Sequence, residues 1–299
     1  MTRSFADAVR SGEFVVTVQC WPPRGADLDG LNACADALGG IVNAIGVAEC
    51  EDGVRMSALA ACGHLIAAGI DPILHLLTRD MNRIALQSAL LGAASMGVRS
   101  VLCTTGRHQA LTTSSSARGV FDVDPIQLLR IADAMRKTGE LADGAKIDGE
   151  LDLLLGTDTN PFCDPVELQV MAMGKAVEAG ADFVVTQPVF VPGDFEAWMK
   201  LVRERELHER TCVIASVMPL TSAQQALDLA DRYTHLHIPA DVIDRLQHAP
   251  DPRACGVGEA ADLANELRGM DGVRGICVTC GEDYGLARDV ISSSEIAGT

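Results

Sequence analysis

Aromatic side chains are scarce in this chain, at 4% of 299 residues, and basic residues are outnumbered, 24 against 41 acidic. The resulting formal charge of −17 argues against wrapping nucleic acid or lying on an anionic membrane, since both need a basic surface. No segment approaches the ~18 uninterrupted apolar residues of a membrane span. The stretch Met1 to Glu13 is polar and has no apolar signal-like core, so the expected location is cytoplasmic. Gly-x-Ser-x-Gly, the Walker lysine loop and His-Glu-x-x-His are all missing, which removes the commonest hydrolase, nucleotide-hydrolase and zinc-protease readings. Internal repeats, low-complexity tracts and a Pro- or Ser-rich linker are missing too. A small-molecule ligand is the expected partner.

What the chain does have is core-forming material: 48% hydrophobic residues, 28 glycines and ten cysteines. Cys34, Cys62, Cys103 and Cys212 stand singly in apolar segments, as buried reduced thiols do, and not in a disulfide framework. The one Cys-x-x-Cys, Cys277 to Cys280, falls in a strand-like run. Residues three apart on a strand face opposite sides, so a shared metal is not expected. His235 and His237 share a face but lack a third ligand nearby and read as packing residues.

Strand-like runs at 14–20, 41–48, 71–77, 100–105, 151–157, 183–189, 212–218 and 275–280 alternate with helical patterns near 29–39, 57–68, 81–96, 125–137, 165–179, 194–206 and 222–230. A last helical pattern follows the final strand. Eight such units predict an α/β fold, a single (β/α)8 TIM barrel over residues 1–299, with a doubly wound sheet as the alternative. In a barrel the chemistry sits just after the strands. The first of these positions is set by Phe14-Val-Val-Thr-Val-Gln-Cys-Trp-Pro-Pro-Arg-Gly25. Its β-branched run favours a strand, and Pro22 and Pro23 end it, leaving Gln19 at the carboxyl edge. Gln19 then either meets a ligand or satisfies a rim carbonyl. The polar connection Gly106 to Gly119 suits a mobile loop over the active face or an inert surface loop. Gly256-Val-Gly-Glu-Ala-Ala has the look of a dinucleotide glycine turn, but it follows Ala249-Pro-Asp-Pro-Arg and so reads as a helix start.

Several of these segments together resemble one family. Val16-Thr-Val-Gln-Cys-Trp-Pro-Pro-Arg-Gly, Arg55-Met-Ser, His75-Leu-Leu-Thr-Arg-Asp-Met-Asn, Phe121-Asp-Val-Asp, Asn160-Pro-Phe and Glu178-Ala-Gly-Ala-Asp-Phe-Val-Val-Thr-Gln-Pro-Val-Phe are similar, in order, to the methylenetetrahydrofolate reductases. The resemblance implies a barrel that binds a reduced folate at its carboxyl face, usually over FAD, which passes hydride from a nicotinamide to the methylene carbon. It implies that Gln187 hydrogen-bonds the pterin, that Phe190 walls the folate rings and that Asn160 belongs to the same site. Gln19 stands where the family has a glutamate that acts as general acid, and a carboxamide cannot deliver that proton. Glu49, Glu51, Asp80 and Asp158 are the acids left at the mouth, with Glu49 and Asp158 the catalytic candidates beside Gln19.

On the flavin side, Arg107 replaces an aspartate, Ala48 replaces a threonine, and Ala176 replaces a phosphate-binding lysine, with Lys175 one residue away. Thr105, Arg107, His108 and Lys175 are the cofactor-side residues that remain, and FAD is therefore doubtful while NAD(P)H stays open. Three functions stand: a divergent reductase, a flavin-free methyltransferase exchanging a methyl group between tetrahydrofolate and a donor such as a corrinoid protein, and a folate-binding subunit without chemistry. Self-association into a homo-oligomer and a redox partner protein are also open.

Overall fold

The structure is a computed structural model that describes residues 3–49, 53–233 and 236–296. Eight parallel strands close in chain order into a barrel: β1 (Val15–Cys20), β2 (Ala44–Val47), β3 (Pro72–Leu77), β4 (Ser100–Thr104), β5 (Leu154–Thr159), β6 (Phe183–Pro188), β7 (Cys212–Val217) and β8 (Val273–Thr279). The barrel expectation holds, and the doubly wound alternative falls on the β1 to β8 pairing, Val15 to Gly275 through Gln19 to Thr279. Strand interiors are runs of buried residues, as parallel strands covered on both faces require.

Helices α1 (Phe5–Ser11), α2 (Asp29–Leu38), α3 (Ala58–Ala67), α4 (Arg83–Ser95), α5 (Pro125–Thr138), α6 (Val166–Glu178), α7 (Pro192–Glu204), the short α8 (Leu207–Arg210), α9 (Ala223–Arg232), α10 (Ala240–His248), α11 (Pro252–Arg268) and α12 (Tyr284–Ser293) complete the described chain. Local chemistry fixes their starts. Asp124 and Gln127 form a reciprocal capping box ahead of Pro125 at the head of α5, and Asn82 caps α4.

Four of these helices add to the sequence reading. The helical pattern 222–230 is present as α9, but it is not the helix that covers β7. That role belongs to α11, which packs on β7 and β8. The glycines of Gly256-Val-Gly lie one turn inside α11, which begins at Pro252. A Cβ at Gly256 would come within 1.7 Å of the Leu220 carbonyl oxygen, so glycine is there for close packing. Helices α9 and α10 instead form an excursion with a small apolar core of Leu220, Ala226, Val242 and Leu246.

Helix α1 closes the opposite end. Its Phe5 is fully buried and meets Phe183 edge-on, with centroids 5.2 Å apart. Phe5, Val15, Ala44, Ile73, Leu102, Leu154, Phe183 and Ile214 make one interior cluster, separate from the larger layer between strands and helices. Asp71 accepts the Phe5 N–H at 2.8 Å, and Arg99 reaches Asp7 and Asp152, each at 3.0 Å, pinning the plug to the strand ends. The amino end is thus solid, and open space is left at the carboxyl end.

Candidate active site

The carboxyl end of the barrel holds a cavity of about 390 Å³. Alternation along each strand decides what faces it. Gln19 enters from β1, His75 and Leu77 from β3, Thr104 from β4, Asp158 from β5, Gln187 from β6, Ser216 from β7 and Thr279 from β8. Ala48, Glu49, Trp21 and Glu282 add the rim, and Gln225, Leu229, Tyr233 and Leu236 from α9 and its continuation cover one side. The volume is near the low end of the ~300–1,000 Å³ usual for small-molecule sites.

Four of the expected residues meet in this cavity: Gln19, Glu49, Asp158 and Gln187. Asp158 and Gln187 are on adjacent strands, since Asp158 pairs with Val185 and Gln187 follows two residues later. Gln19 stands across the mouth, because β1 and β5 are diametrically opposed in a closed eight-stranded barrel. Among the described residues neither glutamine amide has a hydrogen-bond partner, which leaves both donor and acceptor for a ligand.

The acids separate by environment. Asp158 is open to the cavity yet enclosed by protein, and that desolvation pushes its carboxyl up from the usual range, opposed by a hydrogen bond with Thr104. Glu49 is turned toward the start of α3, where Oε1 is 3.5 Å from the Ala58 N–H. Asp80 is held by Arg79 through two bonds of 2.8 and 2.6 Å and does not line the cavity. Glu51 lies outside the described residues.

His75 was not among the expected site residues, because it lies inside a strand and not after one. It is 9% exposed, and burial pushes its imidazole down to about 4. A Cβ at Gly46 would sit 2.9 Å from His75 Nε2, so the β2 glycine makes room for the ring. The neutral imidazole carries a stability consequence. The unfolded chain takes up a proton near pH 6.5 and the folded chain only near 4, so stability contributed by His75 is present above pH 6.5 and lost on the way down to about 4. The loss expected is roughly 3 kcal/mol. Urea midpoints measured between pH 7 and 4.5 should fall for the wild type and fall less for His75→Asn; equal slopes would refute it.

Other expected residues are placed elsewhere. Asn160 shapes its own turn, accepting the Phe162 N–H at 3.0 Å and donating to Cys163 Sγ at 3.0 Å. Phe190 lines an adjoining cavity of about 290 Å³ with Leu220 and Val242, separated from the mouth by Met218, which borders both. His237 is near Phe162 as a ring contact at 6.2 Å, while His235 lies outside the described residues. No cluster of three metal-ligating side chains occurs among the described residues. Cys277 is buried in the barrel interior and Cys280 is beyond the end of β8.

The positions expected to serve a flavin do not come together. Thr105 and His108 are exposed, and His108 Nδ1 accepts the Ala110 N–H at 3.2 Å while its ring stacks on Phe121. Arg107 donates to the Arg232 carbonyl at 2.7 Å and its guanidinium lies 4.7 Å over Tyr233, tying the β4 connection to the end of α9. Lys175 is exposed in the last turn of α6. That helix runs back against the strands, so Lys175 is at the amino end of the barrel, away from the mouth. Among the described residues, the set does not fit a cradle for FAD. The Gly106 to Gly119 connection is folded on itself around buried Gln109, a 3-10 turn at Gln109–Leu111 and a bond from Thr112 Oγ1 to the Gln109 carbonyl.

No described helix is long and apolar enough to cross a membrane. Among known proteins, the chain is 26% identical over 197 residues to a Caenorhabditis elegans protein described as a probable methylenetetrahydrofolate reductase (NADPH); the match takes in 66% of this chain and 27% of that protein. In fold it is similar to an uncharacterized protein from Clostridium thermocellum that binds two copies of 5-methyl-5,6,7,8-tetrahydrofolic acid. The TM-score is 0.70 at 12% identity, over 96% of this chain and 98% of that one. A 2,3-dimethylmalate lyase shares the fold at a TM-score of 0.51 and 12% identity, over 98% of this chain and 82% of the other. The model for the methylenetetrahydrofolate reductase family matches residues 4–267, and with that span nearly covering the barrel, this chain belongs to the methylenetetrahydrofolate reductase family.

Proposed function

We propose that the protein reduces 5,10-methylenetetrahydrofolate to the 5-methyl compound, taking hydride directly from a reduced nicotinamide and working without FAD. The observation that carries this reading is the pair formed by Asp158 and Gln187 on neighbouring strands, an enclosed carboxyl beside a free amide. Gln187 offers the donor and acceptor that match the amino-oxo edge of a pterin. Asp158 in its acid form gives its proton to the folate N10 as the bond from N10 to the bridging carbon breaks, which leaves an iminium at N5. Hydride from the nicotinamide adds to that carbon, giving the methyl group and the oxidised nicotinamide, and water returns a proton to Asp158. A nicotinamide brings one ring to the reacting carbon where a flavin brings three, which suits a small cavity.

Gln19 favours a second reading, transfer of a preformed methyl group, because a neutral amide there orients a ligand and cannot act as an acid. The test is to purify the protein, record its absorbance for flavin, and supply methylenetetrahydrofolate with NADH or NADPH under nitrogen. Nicotinamide oxidation without added flavin supports direct reduction. A flavin spectrum, or a strict requirement for flavin, would overturn that part. No oxidation, together with demethylation of 5-methyltetrahydrofolate by an added corrinoid, would establish the second reading. Gln187→Ala is expected to weaken tetrahydrofolate binding by about 1–3 kcal/mol, since pterin polar atoms would be left unpaired. Unchanged affinity in calorimetry would remove Gln187 from the site.

A further inference from the structure

We infer that Trp21 is the platform on which the p-aminobenzoyl ring of the folate stacks, a role that rests on the folate reading above. Trp21 directly follows β1 and lines the mouth cavity. The Arg55 guanidinium lies 4.9 Å from the centre of its ring and covers one face. Arg55 is itself fixed. Its side chain is 5% exposed, it donates to the Pro22 carbonyl at 2.8 Å and pairs with Glu282 at 2.6 Å. The Tyr284 hydroxyl approaches the Trp21 carbonyl at 3.5 Å, and Pro22 and Pro23 restrict the backbone that follows. A large aromatic side chain is thus held in one orientation with a cation behind it, which leaves the ring to meet the cavity on its other side.

Trp21 lines the side of the cavity opposite Asp158. A pterin whose amino-oxo edge is held by Gln187 on β6, with N10 within reach of Asp158 on β5, directs the ring attached to N10 across the mouth toward β1 and β8, beside which Trp21 and Glu282 lie. The next group along a folate is a benzoyl ring, and offset stacking on indole is the contact that position offers. Phe190, the wall the family resemblance implied, faces the neighbouring cavity and leaves this contact to Trp21.

The chain has two tryptophans, and Trp198 is fully buried on the inner face of α7, so Trp21 can be read alone by emission in Trp198→Phe. Tetrahydrofolate and a tetrahydropterin lacking the benzoylglutamate should be titrated against wild type, Trp198→Phe, Trp21→Phe and Trp21→Leu, with affinities from calorimetry and emission lifetimes from the tryptophan. Expected results are shortened Trp21 lifetime with tetrahydrofolate but not with the pterin fragment, and tetrahydrofolate affinity reduced about 5- to 150-fold in Trp21→Leu. Trp21→Phe should restore most of that affinity, and the pterin fragment should bind all four proteins alike. If tetrahydrofolate binds Trp21→Leu as it binds wild type, the platform is refuted and the folate reading stands. If the wild type binds no folate, both fall. Should Trp21→Leu fail to fold, the lifetime of Trp21 in Trp198→Phe decides: no response to bound folate refutes the contact.

Discussion

Asp158→Asn is expected to lower methylenetetrahydrofolate reduction by about 10²–10⁴-fold while tetrahydrofolate still binds. The amide keeps the shape and the polar contact but has no proton to give. In the wild type the rate should fall as pH rises through the raised value of this carboxyl, because only the acid form works, and the variant should lose that limb of the profile. The stability that this carboxyl contributes should fall in the same direction. A carboxyl whose folded value lies above its unfolded one stabilises fully below the unfolded value, 3.8 here, and that contribution is lost as pH climbs through the folded value. Asparagine never ionises, so the variant should unfold at higher urea than the wild type at neutral pH. If Asp158 supplies the proton from β5, as proposed, Gln19→Glu on the opposite wall should change the rate little. Full activity in Asp158→Asn, or a large gain in Gln19→Glu, would transfer the role of acid to the β1 side.

Phe5→Ala is expected to cost about 3–5 kcal/mol of stability. The ring is fully enclosed against Phe183, and it is the largest of the four apolar side chains, with Ala6, Ala8 and Val9, that the two-turn helix α1 buries in the barrel end. Because the plug is at the amino end, the folate affinity of the folded fraction should not change. A urea midpoint shift equivalent to under 1 kcal/mol would mean that the plug is not fastened by this residue.

Much of the architecture was legible because short apolar runs alternate with helical patterns eight times along the chain, and each strand's carboxyl end could be numbered from the sequence. Gln19, Glu49 and Asp158 stand at such ends, Gln187 was singled out by the family resemblance, and the four share one cavity. His75 was hidden because a cavity-facing residue one layer down looks like any core position in a buried strand. Tyr233 and Leu229 were hidden because an amphipathic helix after β7 reads as the barrel's own cover. The available signal was length, since the distance from Val217 to Val273 is far more than one helix needs. Arg107 and Lys175 were placed with a cofactor by likeness alone, and only the course of the chain around them shows one tied to Tyr233 and the other at the far end.

The excursion of α9 and α10 has a consequence for how such a protein can change. Its apolar residues form a small cluster with Leu220, Phe190, Met218 and Cys255, apart from the main core, while Gln225, Leu229, Tyr233 and Leu236 contribute the wall of the cavity. Replacements there would reshape what the mouth accepts while the strands, the plug and the inward layer of Gln19, His75, Asp158 and Gln187 keep their support. New ligand preferences could therefore accumulate in one exchangeable segment, at little expense to the frame that holds the inward-facing polar side chains.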